Sequence, residues 1–254
     1  MADTATKVFV HGNPETADIW NLLFDELRNN GVEKIIALSP PGFGVKSVTG
    51  WNGTAIEYRN WLINELKNIG GEIDLVAHDW GAGHAYAALA ARPTLVRSWA
   101  ADCAGLVHPD YVWHDAAQGW QTPEVGEQMV AGMVAMDTDT FVQTFSALGM
   151  TEEIARAVKA HVNDDMARCI LALYRDAAQP YMSRLGERLF MAKPRNGLVI
   201  MAENDTFAGS LDVMEEVAGI LDADTAFVGG VGHWWMCQKP AAAAQMLIDH
   251  WNSI

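Results

Sequence analysis

The sequence predicts an α/β protein built on a mostly parallel sheet of about six strands. Two observations carry that expectation. Short β-branched and aromatic runs alternate with amphipathic stretches over residues 1–104 and again over 196–254, and such alternation builds parallel sheets with helices on both faces. Over residues 105–195 helical periodicities follow one another without a convincing strand, so this stretch is expected to be a helical lid inserted between two parts of one core.

The first strand is expected at Lys7 to Val10, entering a tight loop at His11-Gly12-Asn13-Pro14. Ile19, Leu22, Leu23 and Leu27 recur at helical spacing, and Ile35 to Leu38 forms the next apolar run, closed by Ser39-Pro40-Pro41-Gly42-Phe43-Gly44. Then come a helix over Tyr58 to Leu66, a strand over Ile73 to Ala77, a helix over Gly83 to Ala91 and a strand over Val96 to Ala101. Beyond the lid, strands are expected at Gly197 to Ala202 and Thr225 to Val228, with a helix at Asp212 to Leu221 between them. A helix over Ala241 to Trp251 closes the chain, and no internal repeat or low-complexity segment interrupts the pattern.

With 254 residues, half of them hydrophobic, the chain can bury one large core. Its formal charge of -15 opposes nucleic acid and anionic membranes, which demand clustered Lys and Arg. The expected partners are therefore a small, apolar, neutral substrate and water. No signal-peptide pattern and no run of about 18 apolar residues is present, so a cytoplasmic location is expected. Monomer and homodimer stay equally open. Cys103, Cys169 and Cys237 are far apart and lack metal-ligand spacing, which favours buried free thiols. His11, His78, His84, His108, His114, His161, His233 and His250 show no ligand spacing either, so no metal and no organic cofactor is expected.

The chemistry centres on Asp79, in Ala77-His78-Asp79-Trp80-Gly81-Ala82-Gly83 between an apolar strand and an alanine-rich helix. A sharp strand-to-helix turn presents its central side chain above the sheet and needs small neighbours. A helix-capping Asp would not explain those neighbours. A carboxylate in that place is already ionised and can displace a leaving group from an sp³ carbon, giving an alkyl ester. Water must then attack the ester, which takes a base and an oxyanion hole.

His233, in Gly229-Gly230-Val231-Gly232-His233-Trp234, is placed to be that base. Asp205, just after a strand, can orient His233; Asp102, at another strand end, is the alternative acid. The backbone N–H groups of Trp80 and Asn13 are the expected oxyanion donors.

These residues resemble the α/β-hydrolases with an Asp nucleophile, the epoxide hydrolase and haloalkane dehalogenase group. The likeness rests on His11-Gly12-Asn13-Pro14, Pro41-Gly42-Phe43-Gly44, His78-Asp79-Trp80-Gly81, Asn204-Asp205, Gly232-His233-Trp234 and Gln238-Lys239-Pro240. It implies the α/β-hydrolase fold with the family's first two strands missing, since six residues precede Lys7. It also implies lid donors for a departing oxygen. Tyr174 looks like the second such tyrosine, and His114 or Tyr111 stands for the first. Epoxide hydrolysis to a vicinal diol is therefore expected, with haloalkane dehalogenation as the alternative because Asn13 and Trp80 resemble a halide-holding pair. An ester-hydrolysing or non-catalytic ligand-binding member of the fold is the further alternative. Fluoroacetate dehalogenation is not expected, because no Arg follows Asp79 to grip a carboxylate. Trp113, Trp120, Trp234 and Trp235, with Met129, Met133 and Met136, either line an apolar pocket or fill the core.

Overall fold

Six strands form one sheet: β1 (Thr6–Val10), β2 (Ile35–Leu38), β3 (Ile73–Ala77), β4 (Ser98–Ala101), β5 (Gly197–Ala202) and β6 (Asp224–Val228). Every pairing in this computed structural model, which describes residues 4–254, is parallel, in the order β2-β1-β3-β4-β5-β6. Strands covered on both faces read as continuous apolar runs, and β3, β4 and β5 are buried throughout. The edge strands differ. Ile36 on β2 and Phe227 on β6 are exposed.

Within β3, Asp74 breaks the apolar run, yet it is buried with partners on both sides. Lys7 of β1 lies 2.5 Å away and Ser98 of β4 donates its hydroxyl at 2.6 Å, while Arg97 adds a further ion pair. The carboxylate thus joins three neighbouring strands, and burial without those partners would be costly.

Helix α1 (Asn21–Asn29) follows a 3₁₀ turn at Ala17–Trp20 that Thr16 caps, so the single helical period expected there is split in two. Helix α2 (Ala55–Ile69) starts at a capping box of Thr54 and Glu57. It begins before the apolar period does, because the cap sits outside it. Helix α3 (Trp80–Ala91) likewise starts earlier than expected, directly after Asp79.

Between β4 and β5 lie α4 (Asp115–Gln121), α5 (Val125–Ala135), α6 (Thr138–Ala147), α7 (Glu152–Lys159), α8 (Asp164–Asp176) and α9 (Tyr181–Ala192), with a 3₁₀ turn at Ala104–Val107. After β5, α10 (Leu211–Leu221) precedes β6, and α11 (Trp235–Gln238) and α12 (Pro240–Asn252) follow it. The three cysteines are buried and free. No helix among the described residues is long and apolar enough to cross a membrane. The loops leaving β1, β3, β4, β5 and β6 all rise from the carboxyl edge of the sheet, where open α/β sheets place their ligand crevices.

Candidate active site

Asp79 occupies the turn between β3 and α3 with φ at +52°, a left-handed conformation that a non-glycine residue holds only under constraint. The small neighbours have specific reasons. A Cβ on Gly81 would lie 2.3 Å from the Val10 carbonyl oxygen, and one on Gly12 would lie 2.1 Å from Asp79 Oδ1. Gly12 therefore lets the loop after β1 close on the carboxylate. The Asn13 backbone N–H donates to Asp79 Oδ1 at 2.7 Å. Burial, partly offset by His233, raises the Asp79 carboxyl to about 6.

His233 Nε2 stands 3.7 Å from Asp79 Oδ2, and His233 Nδ1 pairs with Asp205 Oδ2 at 2.9 Å. Asp205 is fixed in turn, because its Oδ1 accepts from the Phe207 N–H at 2.8 Å. Burial disfavours the charged imidazole, but Asp205 outweighs it and His233 titrates above its ordinary range. Asp79, His233 and Asp205 thus meet at one point. Asp102 does not join them: its Oδ2 pairs with His78 Nδ1 and accepts from the Trp235 indole at 2.7 Å, while its Oδ1 accepts from the Asp79 N–H at 3.0 Å.

A cavity of about 150 Å³ opens above Asp79 and His233. His114, Trp120, Met133, Phe145 and Tyr174, all between β4 and β5, give it mostly apolar walls. Trp234 also faces it, whereas Trp113 and Trp235 are buried in the core and Met129 is exposed on α5. Met136 packs half-buried against the core. The Asn13 side-chain Nδ2 donates to Tyr174 Oη at 3.4 Å, and the Trp80 ring meets the Tyr174 ring edge-on with centroids 5.2 Å apart. Tyr174 Oη therefore accepts from one of the two residues expected to hold a leaving halide, and burial keeps the phenol protonated.

Of the two candidates for the first lid donor, one lines the cavity and one does not. Tyr111 turns its hydroxyl to the Phe207 carbonyl at 2.8 Å and does not line the cavity, so it is not available to a departing oxygen. Proximity in sequence put it beside His114, but only His114 lines the cavity. His114 caps α4 by accepting the Ala117 N–H on Nδ1 at 3.3 Å. Burial lowers it to about 4, so it is neutral and carries its proton on Nε2.

The sequence reading missed Glu15 and His78. Glu15 is wholly buried; its Oε2 accepts from the Gly12 N–H at 2.9 Å, and its Oε1 faces His78 Nε2 at 3.0 Å and the Trp234 indole. A carboxylate directly after a loop proline reads as solvent-facing, and only its place behind Gly12-Asn13-Pro14 hinted otherwise. Among the described residues, two sets of possible ligand atoms lie within 4.8 Å inside each set, Glu15 with His78 and His233, and Cys103 with Asp205 and His233. In both, hydrogen bonds inside the protein already engage the carboxylates and the facing imidazole nitrogens, and we assign no metal to either.

The sequence profile described as the alpha/beta hydrolase family matches residues 8–246. No curated protein is similar enough in sequence to match the chain. Among solved structures, haloalkane dehalogenase DatA from Agrobacterium tumefaciens superposes with a TM-score of 0.79 at 18% identity, covering 100% of this chain and 90% of that one. Haloalkane dehalogenase DbeA from Bradyrhizobium elkani gives a TM-score of 0.74 at 20% identity over 100% of this chain and 93% of its own. At such identities the likeness establishes the shared fold.

Proposed function

The chain belongs to the alpha/beta hydrolase family, and on that footing we propose that it hydrolyses small apolar epoxides to vicinal diols through an alkyl ester on Asp79. Residues 105–195 act as the lid, over core parts 1–104 and 196–254. Asp79 Oδ1 rests on the Asn13 N–H, which leaves Oδ2 to attack the ring carbon. The carbon–oxygen bond breaks, its electron pair stays on oxygen, and that oxygen takes the Tyr174 proton. His114 Nε2–H faces the same cavity as a second donor.

In the second half, His233 Nε2 takes a proton from water, whose oxygen adds to Asp79 Cγ. The charge that builds on Oδ1 meets the Asn13 and Trp80 N–H groups. Asp205 stabilises the imidazolium. Collapse expels the diol oxygen, which takes the proton from His233, and the proton left on the new Asp79 carboxyl returns to the Tyr174 phenolate, restoring both the carboxylate and the acid. A cavity of about 150 Å³ matches in volume one known to hold benzene, which suits an epoxide with one phenyl or short alkyl substituent.

The observation that carries the epoxide reading is the Tyr174 phenol, its oxygen held by Asn13 and its proton without a protein acceptor among the described hydrogen bonds. An alkoxide leaving group needs a proton, and a halide does not. Haloalkane dehalogenation is the second reading, favoured by the Asn13 and Trp80 donors and by structural neighbours named as haloalkane dehalogenases.

Tyr174→Phe separates the two. It is expected to slow alkylation by styrene oxide by roughly tenfold to a thousandfold, the range for losing one acid or oxyanion-type donor. Stability should change little, since the ring stays. Stopped-flow tryptophan fluorescence reads the rate. An unimpaired Tyr174→Phe beside an Asn13→Ala that no longer releases bromide from 1-bromobutane would establish the dehalogenase instead.

A further inference from the structure

Behind the catalytic pair lies a second acid–histidine–acid row. We propose that Glu15, His78 and Asp102 are positioning residues for ester hydrolysis, a buried cation between two carboxylates that ties the active-site loops together and fixes the charge His233 faces. The proposal rests on the reading of Asp79 and His233 given above.

Geometry and the neighbouring charges together set the charge of His78. Both of its ring nitrogens face carboxylates, Nε2 toward Glu15 and Nδ1 toward Asp102, and an imidazole donates from both nitrogens only as a cation. Burial opposes that charge, but the two carboxylates outweigh it and raise His78 well above its ordinary range. Burial also works to raise Glu15, yet His78 brings it down to about 2. The cluster therefore carries one net negative charge at working pH.

Burying three charges is expensive, and apolar side chains of similar volume commonly stabilise a core as well or better. What this cluster adds is connection. Glu15 holds the Gly12 N–H of the oxyanion loop and the Trp234 indole beside His233. Asp102 holds the Asp79 N–H at the nucleophile turn and the Trp235 indole. One contiguous network thus sets the positions of the oxyanion loop, the nucleophile and the base.

It also acts through charge, because the His78 and His233 ring centroids are 4.5 Å apart. The groups whose charge reaches His233 are Asp205, Asp79, His78, Asp102, Glu15 and His114. Around His78 stand Glu15, Asp102, His11, Asp79 and His233. Esterification removes the Asp79 anion just when His233 must accept a proton. Asp205, Asp102 and Glu15 are the anions that remain, with His78 moderating them.

The test is the imidazole titration of His233, followed by NMR of histidine-labelled full-length protein, which needs no substrate. His78→Gln removes the neighbouring cation and should move the His233 midpoint up by about one pH unit or more, given Coulomb energies of several kcal/mol at this separation and an intermediate dielectric. Glu15→Gln removes an anion and should move it down. This pair of opposite signs still decides the matter if one variant fails to fold. With styrene oxide, both variants should slow ester hydrolysis at least tenfold and alkylation much less. Unchanged His233 midpoints alongside lowered melting temperatures would mean a merely structural cluster and overturn the proposal. If the wild-type protein forms no adduct on Asp79 with styrene oxide or 1-bromobutane, the functional reading fails on its own, while the titration still decides the charge coupling.

Discussion

Asp79→Asn is expected to abolish turnover, because an amide oxygen at this position is too weak a nucleophile to open an unactivated ring or displace a halide. The loss should exceed roughly ten-thousandfold, since the whole first step depends on one atom. His233→Gln should behave differently. Attack by Asp79 Oδ2 needs no base, so the ester forms and then persists, and rapid quench followed by peptide mass spectrometry should find one added substrate mass on Asp79. Acid should weaken the first step as well. With its carboxyl raised to about 6, Asp79 is increasingly protonated as pH falls through 6, and the alkylation rate of the wild-type protein should decline over that interval. Full activity in Asp79→Asn, or an adduct on another side chain, contradicts this account.

The second large effect separates the two acids. Asp205→Asn removes the anion bonded to His233 Nδ1 at 2.9 Å, so ester hydrolysis should fall by roughly a thousandfold or more while alkylation changes little, since only hydrolysis builds charge on the imidazole. Asp102→Asn acts on the folded state first. It leaves His78 with one carboxylate in a fully buried site, and breaking a buried pair in this way costs about 3–5 kcal/mol, visible in urea unfolding. Single-turnover kinetics would show whether the order holds. Abolished hydrolysis in Asp102→Asn beside a normal Asp205→Asn would assign the acid to Asp102.

The sequence displays part of this arrangement and conceals the rest for physical reasons. Alternating strand and helix periods mark the parallel sheet, and the small residues around Asp79 mark the turn, because both are local consequences of backbone packing. Gly12 and Gly81 leave no room for a Cβ, and that constraint is written as glycine. The choice between Asp102 and Asp205 is not local. Each ends a strand, and only the three-dimensional path of the loop carrying His233 decides which carboxylate it meets. The same holds for Tyr111 and His114, three residues apart, one turned to the Phe207 carbonyl and the other to the cavity. Glu15 and His78 were hidden because a charged residue in a loop reads as solvated unless its partners are known. Those partners come from residues 63 and 219 positions away.

The central claim is that water attacks the enzyme and not the substrate. A single turnover of styrene oxide in ¹⁸O-water, with enzyme in excess, tests it most directly. The account predicts that the diol forms without label, its new oxygen taken from the Asp79 carboxylate, and that the peptide carrying Asp79 gains one ¹⁸O. Label in the diol and none on Asp79 would mean direct attack of water on the substrate, and the ester mechanism would be wrong.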